Sequence, residues 1–178
     1  MNKHLQNVGG TETWCFTIIK ELIKRNHNVD VFALNKGDFF NYIVKTFPNV
    51  GTELKKEYDL ILVNHNSSLQ YLIDNNIKGY KIYTCHGIQS EDEKPIKGAD
   101  FYVSISEEVF DYLQSLGFNS TIIRNPIDID YFSCKNNPNP VVKNVLCISD
   151  WQNSINNIKE LCLQLNLNFK SLGKQNPP

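Results

Sequence analysis

Short runs of apolar residues alternate along this chain with stretches in which apolar positions recur every third or fourth residue. Residues 11–25, TETWCFTIIKELIKR, put Cys15, Ile18, Ile19, Leu22 and Ile23 at helical spacing, with Thr11 as the expected cap and Glu12 favourable in the first turn. The turn NHN at 26–28 leads into VDVFAL (29–34), whose β-branched and aromatic residues predict a strand. The alternation continues as strand 58–63 (YDLILV), helix 67–76, strand 80–85 (YKIYTC), strand 100–106 (DFYVSIS), helix 107–117 and strand 120–124. Gly117 falls where the last of these helices should stop. Residues 35–57 are less regular, with a short helix or strand expected near Phe39–Phe47. Strands and amphipathic helices in this order predict the α/β class: a Rossmann-like parallel sheet with helices on both faces.

The stretch SCKNNPNPVVK (133–143) lacks periodicity and is rich in Asn and Pro, as an inter-domain linker would be. Beyond it come a strand at 144–149, a helix at 154–166 and a strand at 168–173. One β-α-β unit cannot bury both faces of its strands, so residues 144–178 read as a partial second α/β domain following a first domain of residues 1–132. No repeat or low-complexity segment is evident.

At 178 residues, 41% hydrophobic and 21% charged, the composition is that of an ordinary globular protein and excludes disorder and a long membrane span. A net charge of -1 gives no electrostatic case for a nucleic-acid partner. Five cysteines, without CxxC spacing and partly within apolar runs, read as reduced, buried thiols and not as metal ligands. The amino terminus carries no charged-then-apolar signal, which makes a reducing cytoplasm the expected location.

Candidate chemistry gathers at strand ends, where open α/β sheets bind ligands. Gly9 and Gly10 precede a helix start; they are read either as an anion-binding loop or as a tight turn needing positive φ. The dinucleotide fingerprint GxGxxG is missing, which argues against a nucleotide-dependent oxidoreductase. His86, in TCHG, follows a strand directly and either hydrogen-bonds a sugar hydroxyl or phosphate or is a plain turn histidine; His65, in VNHN, competes for that role. His4 and His27 are expected to be solvated. Ser104 and Ser106 share one face of a strand, and Ser106 is expected to cap the following helix, with Glu107 and Glu108 complementing its dipole. Asn125 and Pro126 set a rigid turn, and Asp128 and Asp130 read as local turn residues, not as a metal pair.

Taken in order, GGTE, CHG, ADFYVSISEEVFDYL and IIRNPIDIDYF resemble the amino-terminal half of a GT-B-fold glycosyltransferase of the family 4 type. The resemblance covers residues 7–132 and continues more weakly through 144–173, the start of the donor domain. It implies a retaining transferase that moves a sugar from a nucleotide-diphosphate donor to a glycan or lipid-linked acceptor, as in polysaccharide biosynthesis, with no metal and no cofactor beyond the nucleotide sugar. By resemblance, Gly9 and Gly10 match the loop approaching the donor diphosphate, and His86 the histidine near the transferred sugar. Asn125, Pro126 and Asp128 match the crossover into the second domain, and Glu12, His65, Ser104, Ser106 and Asn125 belong to the cleft. Work on lipid-linked acceptors would add peripheral contact with the inner face of a membrane.

Three departures qualify the match. MNKHLQNV has no apolar run for the family's first strand, so the first domain is expected to lack that strand, leaving two unpaired edges that invite self-association. The stretch SDWQNSINN has no Lys or Arg where the family places a basic pair, and the two-glutamate donor motif falls outside the chain. A truncated transferase, inactive by itself, is therefore expected. The alternative is a degenerate, non-catalytic domain that binds a glycan or a partner chain.

Overall fold

A computed structural model describes residues 1–132, 141–148 and 151–172, and the chain divides into two units, Met1–Phe132 and Ser133–Pro178. In the first unit, β1 (Asn2–Leu5), α1 (Gly10–Lys24), β2 (Ala33–Lys36) and α2 (Asp38–Thr46) are followed by β3 (Glu57–Asn64), α3 (Asn66–Asp74) and β4 (Lys78–Cys85). A one-turn 3-10 helix (Glu91–Glu93), β5 (Phe101–Ser104), α4 (Glu107–Ser115), β6 (Thr121–Ile122) and α5 (Ile129–Phe132) complete it.

All strand pairs are parallel: β1 with β2, and β3, β4, β5 and β6 in that order. Two backbone bonds link the groups, from Met1 N to Leu62 O and from Asn64 N to Met1 O at 3.1 Å. On the far side of β2, Asp30 bridges Gly51. The order across the sheet is thus Gly51, β2, β1, β3, β4, β5, β6. The chain runs outward from β1 in one direction and then, from β3, in the other, which is the doubly wound arrangement of a Rossmann-like fold. Right-handed crossovers in opposite directions put α1 and α2 on one face and α3 and α4 on the other. The apolar core divides accordingly. One cluster joins Leu5, Ile19, Val31, Phe39, Phe40 and Ile43; the other joins Val63, Leu69, Leu72, Tyr83, Val109 and Leu113.

The strand expected to be missing is therefore present over Asn2–Leu5. Hydropathy does not reveal it because polar side chains are used along it: Asn2 is fully buried, Lys3 Nζ pairs with Asp92 at 2.5 Å, and His4 Nδ1 lies 3.1 Å from Asn35 Nδ2. Asn2–Leu5 pairs along β2, and Met1 bonds to the end of β3.

The cap of α1 also differs from expectation. Gly9, not Thr11, is the N-cap, and no side chain caps the helix. Thr13 instead donates its hydroxyl to Gly9 O at 2.7 Å. Helix ends follow one rule: Asn26, Asn76 and Gly117 take positive φ just past α1, α3 and α4, and the next N–H reaches back to Leu22, Leu72 and Leu113 at 2.9–3.0 Å. Asparagine tolerates that conformation and alanine does not, so Asn76→Ala is expected to lower stability by about 1 kcal/mol, read by urea unfolding.

The second unit is described by itself. β7 (Asn144–Ile148), α6 (Gln152–Gln164) and β8 (Asn168–Leu172) form one parallel β-α-β unit with Cys147, Ile155 and Cys162 buried. Leu146, Ile148, Leu163 and Leu165 are exposed, because one helix covers only one face of two strands. The expected linker falls mostly outside the described residues.

Candidate functional site at the carboxyl edge of the sheet

The reversal of strand order lies between β1 and β3, and the loops leaving these strands lie at their carboxyl ends, the place where open sheets of this kind bind ligands. Asn64 and His65 end β3, His86 follows β4, and the loop after β1 runs through Gly9 into α1. His86 Nε2 lies 3.2 Å from Asn64 Oδ1, and the Trp14 ring, one turn into α1, meets the His86 ring edge-on at 5.4 Å. The glycine loop and His86 therefore share one end of the sheet.

His65 adopts φ 72 and ψ 140 as it passes from β3 into α3, a conformation costly for a side chain and one that collects at functional sites. Its Nε2 is 3.6 Å from Glu93 Oε1, and Glu93 Oε2 accepts the His86 backbone N–H at 2.8 Å. Glu93 thus lies between the two histidines. The loop that carries it is pinned from the core: Tyr83 Oη and Cys85 Sγ both donate to Glu93 O at 3.3 Å. His4, expected to be solvated, faces this cluster, its ring 6.4 Å from that of His65.

Burial governs the protonation states. It pushes His86 down to about 4, with help from neighbouring His65, and it lowers His65 as well, so both rings are neutral at pH 7. Burial raises Glu93, opposed by the His86 N–H, and lifts the Cys85 thiol to about 11. The Glu93–His65 contact is hence a carboxyl group beside a neutral imidazole, too long for a hydrogen bond, and not a full ion pair. With Asn64 Oδ1 accepting from Nε2–H, the His86 Nδ1 lone pair is left to accept a hydrogen bond from outside.

Neither glycine adopts positive φ; Gly9 is extended at φ -150. The tight-turn reading of the pair is thus replaced by another. A Cβ on Gly10 would meet nothing within 4 Å, whereas one on Gly9 would lie 2.5 Å from Glu12 Oε2. Glu12 folds back over the start of α1, accepting from Thr11 Oγ1 at 3.1 Å.

The remaining predicted residues lie elsewhere. Ser104 is fully buried and shares a hydrogen bond of 2.8 Å with Ser120, tying β5 to the entry of β6. Ser106 caps α4 by accepting from Val109 N at 3.3 Å. Asn125 is exposed between β6 and α5. Asp128 anchors that segment, pairing with Lys20 of α1 at 2.5 Å and accepting from Tyr131 N at 3.2 Å. Lys20 lies about 15 Å along α1 from Gly10 at 1.5 Å per residue, so the segment meets the flank of the helix and not its start.

Asn64, Glu93 and Trp14 were not singled out by the sequence. Asn64 adjoins His65 and was within reach of the same strand-end reasoning; Glu93 lies in an acidic loop that carries no motif. Among the described residues, no cluster of three His, Cys, Asp or Glu is placed to hold a metal ion, and no helix is long and apolar enough to cross a membrane. Comparison of the chain with protein-family models, curated proteins and solved structures returns no match.

Proposed function

We propose that the Met1–Phe132 unit is the acceptor-side domain of a retaining glycosyltransferase of the GT-B, family 4 type, moving a sugar from a nucleotide-diphosphate donor to a glycan or lipid-linked acceptor. The observation that supports this reading is an uncapped helix start and a neutral, Asn64-held imidazole at the same end of a doubly wound sheet. Phosphate oxygens would be held by first-turn N–H groups of α1, beside Gly10, in open space that a long side chain at that position would occupy. His86 would accept a hydrogen bond from a sugar hydroxyl through Nδ1. Rate would come from positioning and from electrostatic stabilisation of the departing diphosphate.

One observation favours a second reading. The Glu12 carboxylate already lies over the start of α1, where it would repel a diphosphate, and this suits a module that binds a neutral glycan without turnover. Titration calorimetry with UDP-glucose, GDP-mannose and a neutral oligosaccharide separates the two. The transferase reading expects a nucleotide sugar to bind and Gly10→Leu to weaken it at least tenfold, about 1.4 kcal/mol, with folding intact. Binding of the neutral oligosaccharide alone would establish the second reading instead.

A further inference from the structure

Lys3 lies in β1 and extends to the carboxyl end of the sheet, where its Nζ meets Asp92 of the one-turn helix Glu91–Glu93 at 2.5 Å. Its backbone N–H faces His65 Nδ1 at 3.5 Å, so the residue stands beside the histidine cluster. Burial lowers His65 first; Asp92 and Glu12 oppose that shift, and His4 and Lys3 add to it. All four therefore lie within electrostatic reach of one imidazole. Lys3 is a cation in the same neighbourhood as the Glu12 carboxylate that covers the start of α1.

Neither element depends on the Lys3–Asp92 pair for its place. β1 is paired along β2 from Asn2 to Leu5, and Leu5 is fully buried. The turn at Glu91–Glu93 is fastened by other bonds: Asn66 Nδ2 donates to Glu91 O at 2.6 Å, and Tyr83 Oη and Cys85 Sγ donate to Glu93 O at 3.3 Å. The Lys3 and Asp92 side chains are 25% and 36% exposed, so a solute can reach both, and pairs so open to water stabilise a fold little. The Lys3 bond, against slight burial, holds the Asp92 carboxyl below its usual range, so the contact at pH 7 involves an ionised carboxylate.

An ammonium that the fold does not need, held at the edge where doubly wound sheets bind ligands, has the character of a binding group kept occupied. We propose that Lys3 is a phosphate-binding residue of this site and that Asp92 is an internal stand-in for a phosphate oxygen, exchanged for one oxygen of the donor diphosphate when it binds. The identity of the anion rests on the transferase reading. Two carboxylates, Glu12 and Asp92, surround the place, and a diphosphate gains there only when a cation is released to it. The exchange favours a ligand carrying more charge than one carboxylate, which a diphosphate does and a neutral glycan does not. Because Asn66, Tyr83 and Cys85 keep the turn in position, Asp92 can swing away while Glu93 still holds the His86 N–H. Phosphate capture by Lys3 thus leaves the imidazole set for the sugar.

Titration calorimetry at pH 7 with inorganic pyrophosphate compares the unaltered 178-residue protein with Lys3→Met, Asp92→Asn and the double variant. Lys3→Met is expected to weaken binding about tenfold, as for loss of a charge-assisted hydrogen bond, and Lys3→Arg to keep most of it. Asp92→Asn is expected to tighten binding about fivefold, because the competitor for the ammonium is gone. In the Lys3→Met background the same change is expected to do nothing, since no ammonium is left to release. Opposite signs with that non-additivity separate exchange from a purely structural ion pair, whose two halves would weaken binding alike. The gain in Asp92→Asn also cannot arise from a fold that fails. Equal gains from Asp92→Asn with and without Lys3 would reduce Asp92 to a general field and overturn the assignment, as would Lys3→Met binding as tightly as the unaltered protein. Nucleotide-sugar binding that Gly10→Leu weakens and Lys3→Met leaves unchanged would remove the role of Lys3 alone and keep the transferase reading. No binding of either pyrophosphate or nucleotide sugar would overturn both.

Discussion

Acidification from pH 6.5 to about pH 4 is expected to remove about 3 kcal/mol of folding stability through His86 alone. In the folded protein, burial and then the neighbouring His65 hold this imidazole down at about 4, whereas an unperturbed histidine takes its proton near 6.5. Between those values the unfolded chain binds a proton that the folded chain refuses. Stability is therefore highest above pH 6.5 and declines as the pH falls toward 4. His65, lowered by burial, contributes in the same direction. Glu93, raised by burial, binds its proton earlier in the folded state and offsets part of the loss at the acid end. Urea unfolding at pH 7 and pH 4.5 measures the difference, and His86→Gln is expected to abolish most of it. A slope that His86→Gln leaves untouched would show that this ring is not desolvated.

Tyr83→Ala is expected to cost about 4 kcal/mol, the usual penalty for emptying the place of a large buried ring. Tyr83 is fully buried at the centre of the cluster beneath α3 and α4, its ring 5.9 Å from that of Tyr102. Its hydroxyl has a second task, donating to the Glu93 carbonyl and so holding the loop whose carboxyl group fixes the His86 backbone. Tyr83→Phe keeps the ring and loses that bond, with an expected cost of about 1 kcal/mol. Because the Glu93 loop is then held by Cys85 without Tyr83, exchange at the His86 amide is expected to quicken in Tyr83→Phe more than at Leu72. Equal quickening at both would mean that the hydroxyl acts on the whole domain and not on the loop.

Much of the architecture was legible because buried parallel strands are nearly continuous apolar runs and their covering helices are periodic. The segments at 58–63, 80–85 and 107–117 show both signals and became β3, β4 and α4 with shifts of a residue or two at their ends. β1 was illegible for the opposite reason. Its side chains Asn2, Lys3 and His4 are polar, and only pairing with Phe32, Asp92 and Asn35, all distant in sequence, makes them strand residues. Similarly, 120–124 reads as a full strand, but pairing along β5 is confined to Thr121 and Ile122, with one further bond from Ile123 N to Ser104 O at 2.9 Å.

The site was legible where chemistry coincides with a strand end. His65, His86 and Gly9–Gly10 are of that kind, each following the carboxyl end of a strand, β3, β4 and β1 respectively. Ser104 fits the same rule and is nonetheless spent on a buried bond to Ser120, because at the end of β5 both sheet faces are covered, with Val103 buried as well. Glu93 could not be foreseen: its part rests on a loop that returns beneath two histidines, a relation set by tertiary contact and not by spacing.

Nitrogen-15 NMR of the histidine rings and glycine amides, followed at pH 7 as UDP-glucose or GDP-mannose is titrated in, tests the central claim most directly. Before ligand, His86 is expected as the neutral Nε2–H tautomer. With ligand, its Nδ1 and the Gly10 amide should shift together and saturate at one concentration while exposed His27 stays still. Saturable shifts at His27 or elsewhere, with His86 and Gly10 unmoved, would contradict the account.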